Sequence, residues 1–427
     1  MRGLFWEKII NEVWKNGWLV ILCLLMLFGI KTTSAQAVDG YDGPLPDPSI
    51  EVLADSSNFV TASLLIVTPS NSFYSVFGHA ALRMQCPAYH LDYVFTFESD
   101  PNVSGFVTFF MGKSKARFAS VPSGVFFDGI EKSNRGLTQY ELNLSHRQKQ
   151  NLWRLLDEDV AKGECWRFSL RNNCVSMLER DLEIAIEGDS IMWNRQMEGA
   201  FRNNGDELRH DLRQSPWAEF VFVTFGGAAC GDQFDFVARL CPENLPNALR
   251  EASFVNMATS EQRPVLKSDG QHLLPTKKIC EASAFSPTIV FSLLLLICVI
   301  VTLLEWLLGW KRPARWFDRV LFVAQTLAGT LLLLVTLGSD VFHMQWNWYL
   351  VPLNPLPFIL WVGLHKRKSF GNIYLFYVLI LAAFLALTPF VAQLDLPHQL
   401  ITATLAIRCM NNYLDYRKKI INNKNKY

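Results

Sequence analysis

Arg171-Asn172-Asn173-Cys174-Val175-Ser176-Met177-Leu178-Glu179-Arg180-Asp181-Leu182 sets a cysteine directly behind two asparagines and ahead of an apolar series. Val175, Leu178, Leu182 and Ala185 recur at steps of three and four, which predicts a helix with one buried face. Asparagine is a favoured N-cap, so Asn172 and Asn173 put Cys174 in the first turn. Free backbone N–H groups and the helix dipole favour a thiolate there, the form that attacks a carbonyl carbon. The same residue would serve equally as a buried structural cysteine or as half of a disulfide.

Upstream, Ser72-Phe73-Tyr74-Ser75-Val76-Phe77-Gly78-His79-Ala80-Ala81-Leu82-Arg83-Met84 places His79 behind a glycine, at the start of a strand-like run. Histidine is the usual base for a cysteine nucleophile because it titrates near neutral pH. A histidine in a strand also fills purely structural roles.

The order, histidine first and an "NC" helix start later, is similar to circularly permuted papain-like thiol enzymes, which include NlpC/P60-like and lecithin–retinol-acyltransferase-like proteins. More narrowly, "FGHAALR" followed by "FSLRNNCVSMLERDL" resembles the DUF4105 family, which holds the periplasmic domain of Lnb-type bacterial lipoprotein N-acyltransferases. "SPWAEFVFVTFGGAACGDQFDF", "LCPENL" and "NWYLVPLNPLPF" extend the likeness over about residues 60 to 365. The resemblance implies an α+β, permuted papain-like (NlpC/P60-like) periplasmic domain followed by an all-α transmembrane bundle. It implies Cys174 as nucleophile, His79 as base, and an orienting residue from the strand after the histidine. Asp92 is the choice, with His90 and Glu98 as rivals. The Cys174 backbone N–H, with Tyr74 and Asn173 beside it, would hold an oxyanion. Arg83 would hold a phosphate or carboxylate, or else form a surface ion pair. Asn347 would flank a lipid-access groove. The implied reaction takes an acyl chain from a membrane phospholipid through a Cys thioester to the N-terminal amine of a lipoprotein. A cell-wall cysteine peptidase and a non-catalytic membrane scaffold are the alternatives.

Composition agrees with a partly membrane-embedded protein: 50% of the 427 residues are hydrophobic and 19% charged. A net charge of +1 gives no reason to expect nucleic acid as a partner. Residues 1–37 read as a signal peptide, with Trp18 to Ile30 as its apolar run and cleavage after Ala37. Residues 38–285 then form the exported domain, in which His79–Met84, Leu91–Phe97 and Ala218–Gly227 read as strands. Ser145 reads as the cap of a helix burying Leu152, Leu155 and Leu156.

Residues 286–415 hold about five spans: Thr288–Leu308, Trp316–Leu337, Trp348–Leu364 (broken by Pro352, Pro355 and Pro357), Ile373–Val391, and a short Leu400–Tyr413. Lys and Arg follow the first, third and fifth, whereas "SDVFHMQWN" and "QLDLPHQ" carry none. Positive loops stay cytoplasmic, which puts the exported domain in the periplasm and residues 416–427 in the cytoplasm as a basic tail. The expectation is a multi-pass protein of the bacterial inner membrane. Of nine cysteines, those spare in an exported domain are expected to pair, and Cys230 and Cys241 stand close enough to close a small loop. No spacing suggests zinc, and no cofactor is expected.

Overall fold

The structure, a computed structural model, describes residues 60–70, 75–99, 105–169, 172–193, 203–231, 241–276, 285–340, 345–356, 371–388 and 395–424. The expected leader lies outside these residues.

In chain order the N-terminal part comprises β1 (Thr61–Val67), β2 (His79–Cys86), β3 (Leu91–Ser99), α1 (Phe106–Phe110), β4 (Lys115–Pro122), α2 (Ser123–Lys132), β5 (Leu137–Glu141), α3 (His146–Lys162), β6 (Trp166–Arg167), α4 (Cys174–Ala185), β7 (Asp189–Met192), α5 (Asn204–Asp211), α6 (Pro216–Gly226), α7 (Leu245–Arg250), β8 (Ser253–Asn256), β9 (Gln262–Pro264) and β10 (Gln271–Leu274). Seven strands form one antiparallel sheet in the order β10-β5-β1-β2-β3-β4-β6; β7, β8 and β9 form a small second one. The fold is thus a mixed α/β domain built on an antiparallel sheet.

β1 is buried along nearly its whole length because both sheet faces are covered. Leu64, Ile66, Leu82 and Met84 meet Leu152 and Leu156 of α3 and Val175, Leu178 and Leu182 of α4. Leu65, Val67, Ala81 and Val94 on the other face meet Phe126 of α2. In β3, Val94 through Phe97 are all buried for the same reason. The Ser145 cap stands as expected, with Ser145 Oγ accepting from the Gln148 N–H and Gln148 Oε1 from the Ser145 N–H.

Ala218–Gly227, expected as a strand, lies in helix α6 apart from its last residue. Pro216 sits at its first turn and Gly227 (φ +57°) closes it. An apolar run this short carries too little periodicity to tell helix from strand.

The C-terminal part is helical: α8 (Pro287–Leu308), α9 (Lys311–Gly338), α10 (Gly371–Leu387) and α11 (Leu396–Lys424). α8 and α9 are long and apolar enough to cross a membrane. The third expected span does not open as an α-helix at Trp348. Trp348–Leu350 is a single 3-10 turn, the chain stays irregular through the proline pair, and residues 357–370 lie outside the description. The fifth is longer than expected, because α11 runs on through the basic tail.

The two parts share one core. Phe110 of α1 and Phe222 and Phe225 of α6 pack with Phe322, Leu332, Val335 and Leu381 of α9 and α10. The Asp340 N–H donates to the Met111 carbonyl at 2.9 Å, and Arg167 pairs with Asp340 at 3.3 Å.

Inside the helical part Arg408, fully buried, donates from Nε to Asp318 Oδ1 at 2.5 Å and from Nη2 to Asp318 Oδ2 at 2.9 Å and Glu305 Oε2 at 3.1 Å. Asn411 and Asn412 complete the acceptors, so α8, α9 and α11 meet in one polar knot.

The expected cysteine pairing is absent: among the described residues no disulfide joins Cys86, Cys165, Cys174, Cys230, Cys241, Cys298 or Cys409. Cys230 is buried, and Cys241 instead donates to the Phe77 carbonyl at 3.6 Å.

Candidate active site

Helix α4 begins at Cys174 because Asn173 caps it. Asn173 Oδ1 accepts from the Val175 N–H at 2.9 Å and the Ser176 N–H at 3.0 Å, and Ser176 Oγ accepts from the Asn173 N–H at 2.9 Å. The cap takes the Val175 and Ser176 amides and leaves that of Cys174 itself. The Cys174 sulfur is met by the backbone N–H groups of Ala80, Cys174 and Val175. Ala80 is open to it because the β2–β3 ladder stops at Ala81–Thr96, although β3 runs on to Ser99. Replacing Asn173 by alanine should cost about 1 kcal/mol of stability, read as a lower unfolding midpoint.

Gly78 has φ +86°, and a Cβ there would stand 2.7 Å from the Val67 carbonyl oxygen. Only glycine turns the chain there, and the turn delivers His79 opposite Val67.

His79 Nε2 lies 2.5 Å from Thr96 Oγ1, and the Thr96 hydroxyl donates to Glu98 Oε1 at 3.2 Å. The hydroxyl proton is committed to Glu98, so His79 Nε2–H is the donor to Thr96 and Nδ1 keeps its lone pair. No hydrogen bond joins His79 to Cys174 among the described residues. Arg135 Nε donates to the Thr68 carbonyl at 2.7 Å, one residue beyond the strand partner of His79. Its charge acts on both His79 and Cys174.

Burial, reinforced by Arg135, lowers the His79 pKa to about 3. Burial also pushes the Cys174 thiol up to about 11, outweighing the three amides and Arg135. The thiolate expected from the helix N-terminus is therefore not the resting form; the pair rests as thiol and neutral imidazole. Desolvation of a charge inside protein exceeds what one helix end returns.

Two consequences can be measured. Iodoacetamide at neutral pH should label exposed Cys165 before Cys174, whose alkylation should keep accelerating above pH 9. As pH falls from about 6.5 toward 3 the unfolded chain binds a proton that folded His79 refuses, so stability is lost in that window. A titration of the unfolding midpoint against pH checks the sign.

Asp92 lies elsewhere. Burial raises its carboxyl, but bonds from Arg83, Ser123 and Gln85 outweigh that and hold it below the usual range. Arg83 donates to it from Nε at 2.8 Å and Nη2 at 2.5 Å, and reaches Gln139 at 2.8 Å. With Ser123 and the Phe127 ring, this pair fastens α2 to the sheet. Glu98 reaches His79 only through Thr96, and burial raises its carboxyl. His90 sits in an exposed turn at the far end of β2 and β3. Asn173 is the helix cap, and Asn347 donates to the Thr224 carbonyl at 2.7 Å. Tyr74 lies outside the described residues. Thr96 escaped the sequence reading, although its step of two from Glu98 placed both on one strand face. No group of three His, Cys, Asp or Glu is placed to hold a metal ion among the described residues.

A mixed α/β domain that presents a capped cysteine and a buried histidine, packed onto apolar helices, defines a membrane-associated protein with its polar site outside the helical part. The chain belongs to the Lnb family. Residues 54–195 match the model of the Lnb N-terminal periplasmic domain, and residues 279–419 that of the Lnb transmembrane domain. It is thus a membrane-associated, Lnb-type lipoprotein-processing protein with a periplasmic N-terminal domain. No curated protein and no solved structure gave a match.

Proposed function

We propose that this protein is a thiol-dependent lipoprotein N-acyltransferase of the bacterial inner membrane. Its catalytic domain, residues 38–285 in the permuted papain-like sense, faces the periplasm, and residues 286–415 span the membrane several times. The observation that carries the reading is the Cys174 sulfur set among three backbone amides, on a domain whose core continues into the apolar helices.

In this mechanism Cys174 Sγ attacks an ester carbonyl of a phospholipid while His79 takes the thiol proton. The amides of Ala80 and Cys174 receive the developing oxyanion, that of Val175 being held by the Asn173 cap. The proton passes to the departing lysophospholipid alkoxide, leaving an acyl-thioester. The α-amine of a lipoprotein then attacks, loses its proton to His79, and expels the thiol. Because the pair rests neutral, proton transfer accompanies attack. Thr96 and Glu98 hold the imidazole in the tautomer that exposes Nδ1, the orienting part first expected of Asp92.

Thr96→Val keeps the shape and removes the hydroxyl, so it should lower turnover on the order of 10-fold to 100-fold, less than loss of His79. Asp92→Asn should leave turnover near wild type; the opposite ranking would return the role to Asp92. Incubation of the full chain with phospholipid and a diacylated lipopeptide tests the reading. Mass spectrometry should find one acyl group on Cys174, removable by hydroxylamine, and then one on the peptide amine. Cleavage of cell-wall peptides with no lipid transfer would favour the peptidase alternative.

A further inference from the structure

His398, only 1% exposed, lies in the first turn of α11 between two rings. Its centroid is 4.6 Å from that of Phe220 and 3.7 Å from that of Tyr349, both nearly parallel. Nδ1 pairs with Asp395, and Nε2 lies 2.8 Å from Thr224 Oγ1. Phe220 and Thr224 belong to α6, and two more contacts hold the end of that helix. Asn347 Nδ2 donates to the Thr224 carbonyl at 2.7 Å, and the Ala228 N–H donates to the Trp346 carbonyl at 2.8 Å.

α6 also faces the site. Phe222 meets the edge of Phe77 with centroids 5.0 Å apart, and packs on Phe110 at 5.3 Å. Phe77 takes the Cys241 thiol on its carbonyl and is followed by Gly78, whose φ of +86° leaves the turn into His79 no latitude. One helix is thus fastened to the bundle on one side and touches the base-bearing loop on the other.

We propose that His398 is a positioning residue for His79: through α6, the membrane bundle sets where the base-bearing loop stands. The proposal rests on the acyl-transfer reading above and adds to it a role for the bundle beyond anchorage. Packing of rings alone lets a helix slide along its neighbour. A buried hydrogen bond to the Thr224 hydroxyl fixes the register, because breaking it strands a polar group away from water. A misplacement of the base by a fraction of an ångström is costly in rate, whereas binding of the acyl donor elsewhere is not affected.

The test uses the full chain in phospholipid nanodiscs and the acylation of Cys174 by two probes, p-nitrophenyl butyrate and the nanodisc phospholipid. His398→Phe keeps the ring stack and loses both polar contacts; Phe222→Leu loosens the opposite face of α6. Each should lower the maximal butyrate rate about tenfold at unchanged half-saturation. The double variant should also lose about tenfold rather than the product of the two, because both act through one helix. Multiplying losses, or wild-type rates in either folded single variant, would overturn the proposal. If His398→Phe does not fold, His398→Asn takes its place in the same comparison. A wild-type chain that takes butyrate but no phospholipid acyl group would sink the donor assignment while leaving the positioning test intact. A Cys174 inert to both would overturn the two together.

Discussion

Cys174→Ala should abolish acyl transfer, and His79→Ala should lower it by about 100-fold to 10,000-fold, when full-length variants are supplied with phospholipid and a diacylated lipopeptide. In the proposed mechanism the first removes the sulfur that carries the thioester, and the second removes the group that takes the thiol proton. The loss at His79 is expected to be large because burial pushes the Cys174 thiol up to about 11, so almost no thiolate exists without help. Raising the pH should partly rescue His79→Ala, since deprotonation by solvent then replaces the base. In the wild type the acid limb of the rate should lie well below the ordinary histidine value, because folded His79 stays neutral down to about pH 3. Transfer by a folded Cys174→Ala chain, or an acid limb near 6.5, would remove this pair from the chemistry. Cells relying on Cys174→Ala should accumulate lipoproteins with a free α-amine.

Arg408→Ala is expected to be the most damaging single change in the helical part, destabilising it by about 3–5 kcal/mol. Arg408 answers Asp318 with two hydrogen bonds and Glu305 with a third, and its removal leaves two carboxylates facing each other away from water. Thermal unfolding in mild detergent should show the loss. The triple change Arg408→Met with Asp318→Leu and Glu305→Gln should recover most of it, since no charge is then left unanswered. A single variant as stable as wild type would show that the knot is solvated.

How much of this was legible in the chain follows from what sequence encodes locally. The cap at Asn173, the helix from Cys174 and the strand opening at His79 depend on residues within four positions of one another, and their signals were plain. Thr96 was not legible as the partner of His79, because that contact follows from strand register, which joins residues 17 apart. Asp92 drew attention as the carboxylate nearest in sequence; register turned it toward Arg83 instead. The ionisation of the pair was misjudged for a related reason. A helix end is visible in sequence, but the depth of protein around it is not. The α6 segment failed at a still simpler level, since Val221 through Gly226 are buried in unbroken succession and carry no helical period to read.

The shared core of Phe110, Phe222, Phe225, Phe322 and Leu332 makes the junction near residue 285 a seam in the text of the chain but not in its folding. The two halves are therefore expected to unfold together. A periplasmic half produced alone would present a greasy face to water and draw itself into aggregates. Mutational damage in the bundle should therefore surface as poor secretion or rapid proteolysis of the polar half, long before it is noticed as a lost anchor.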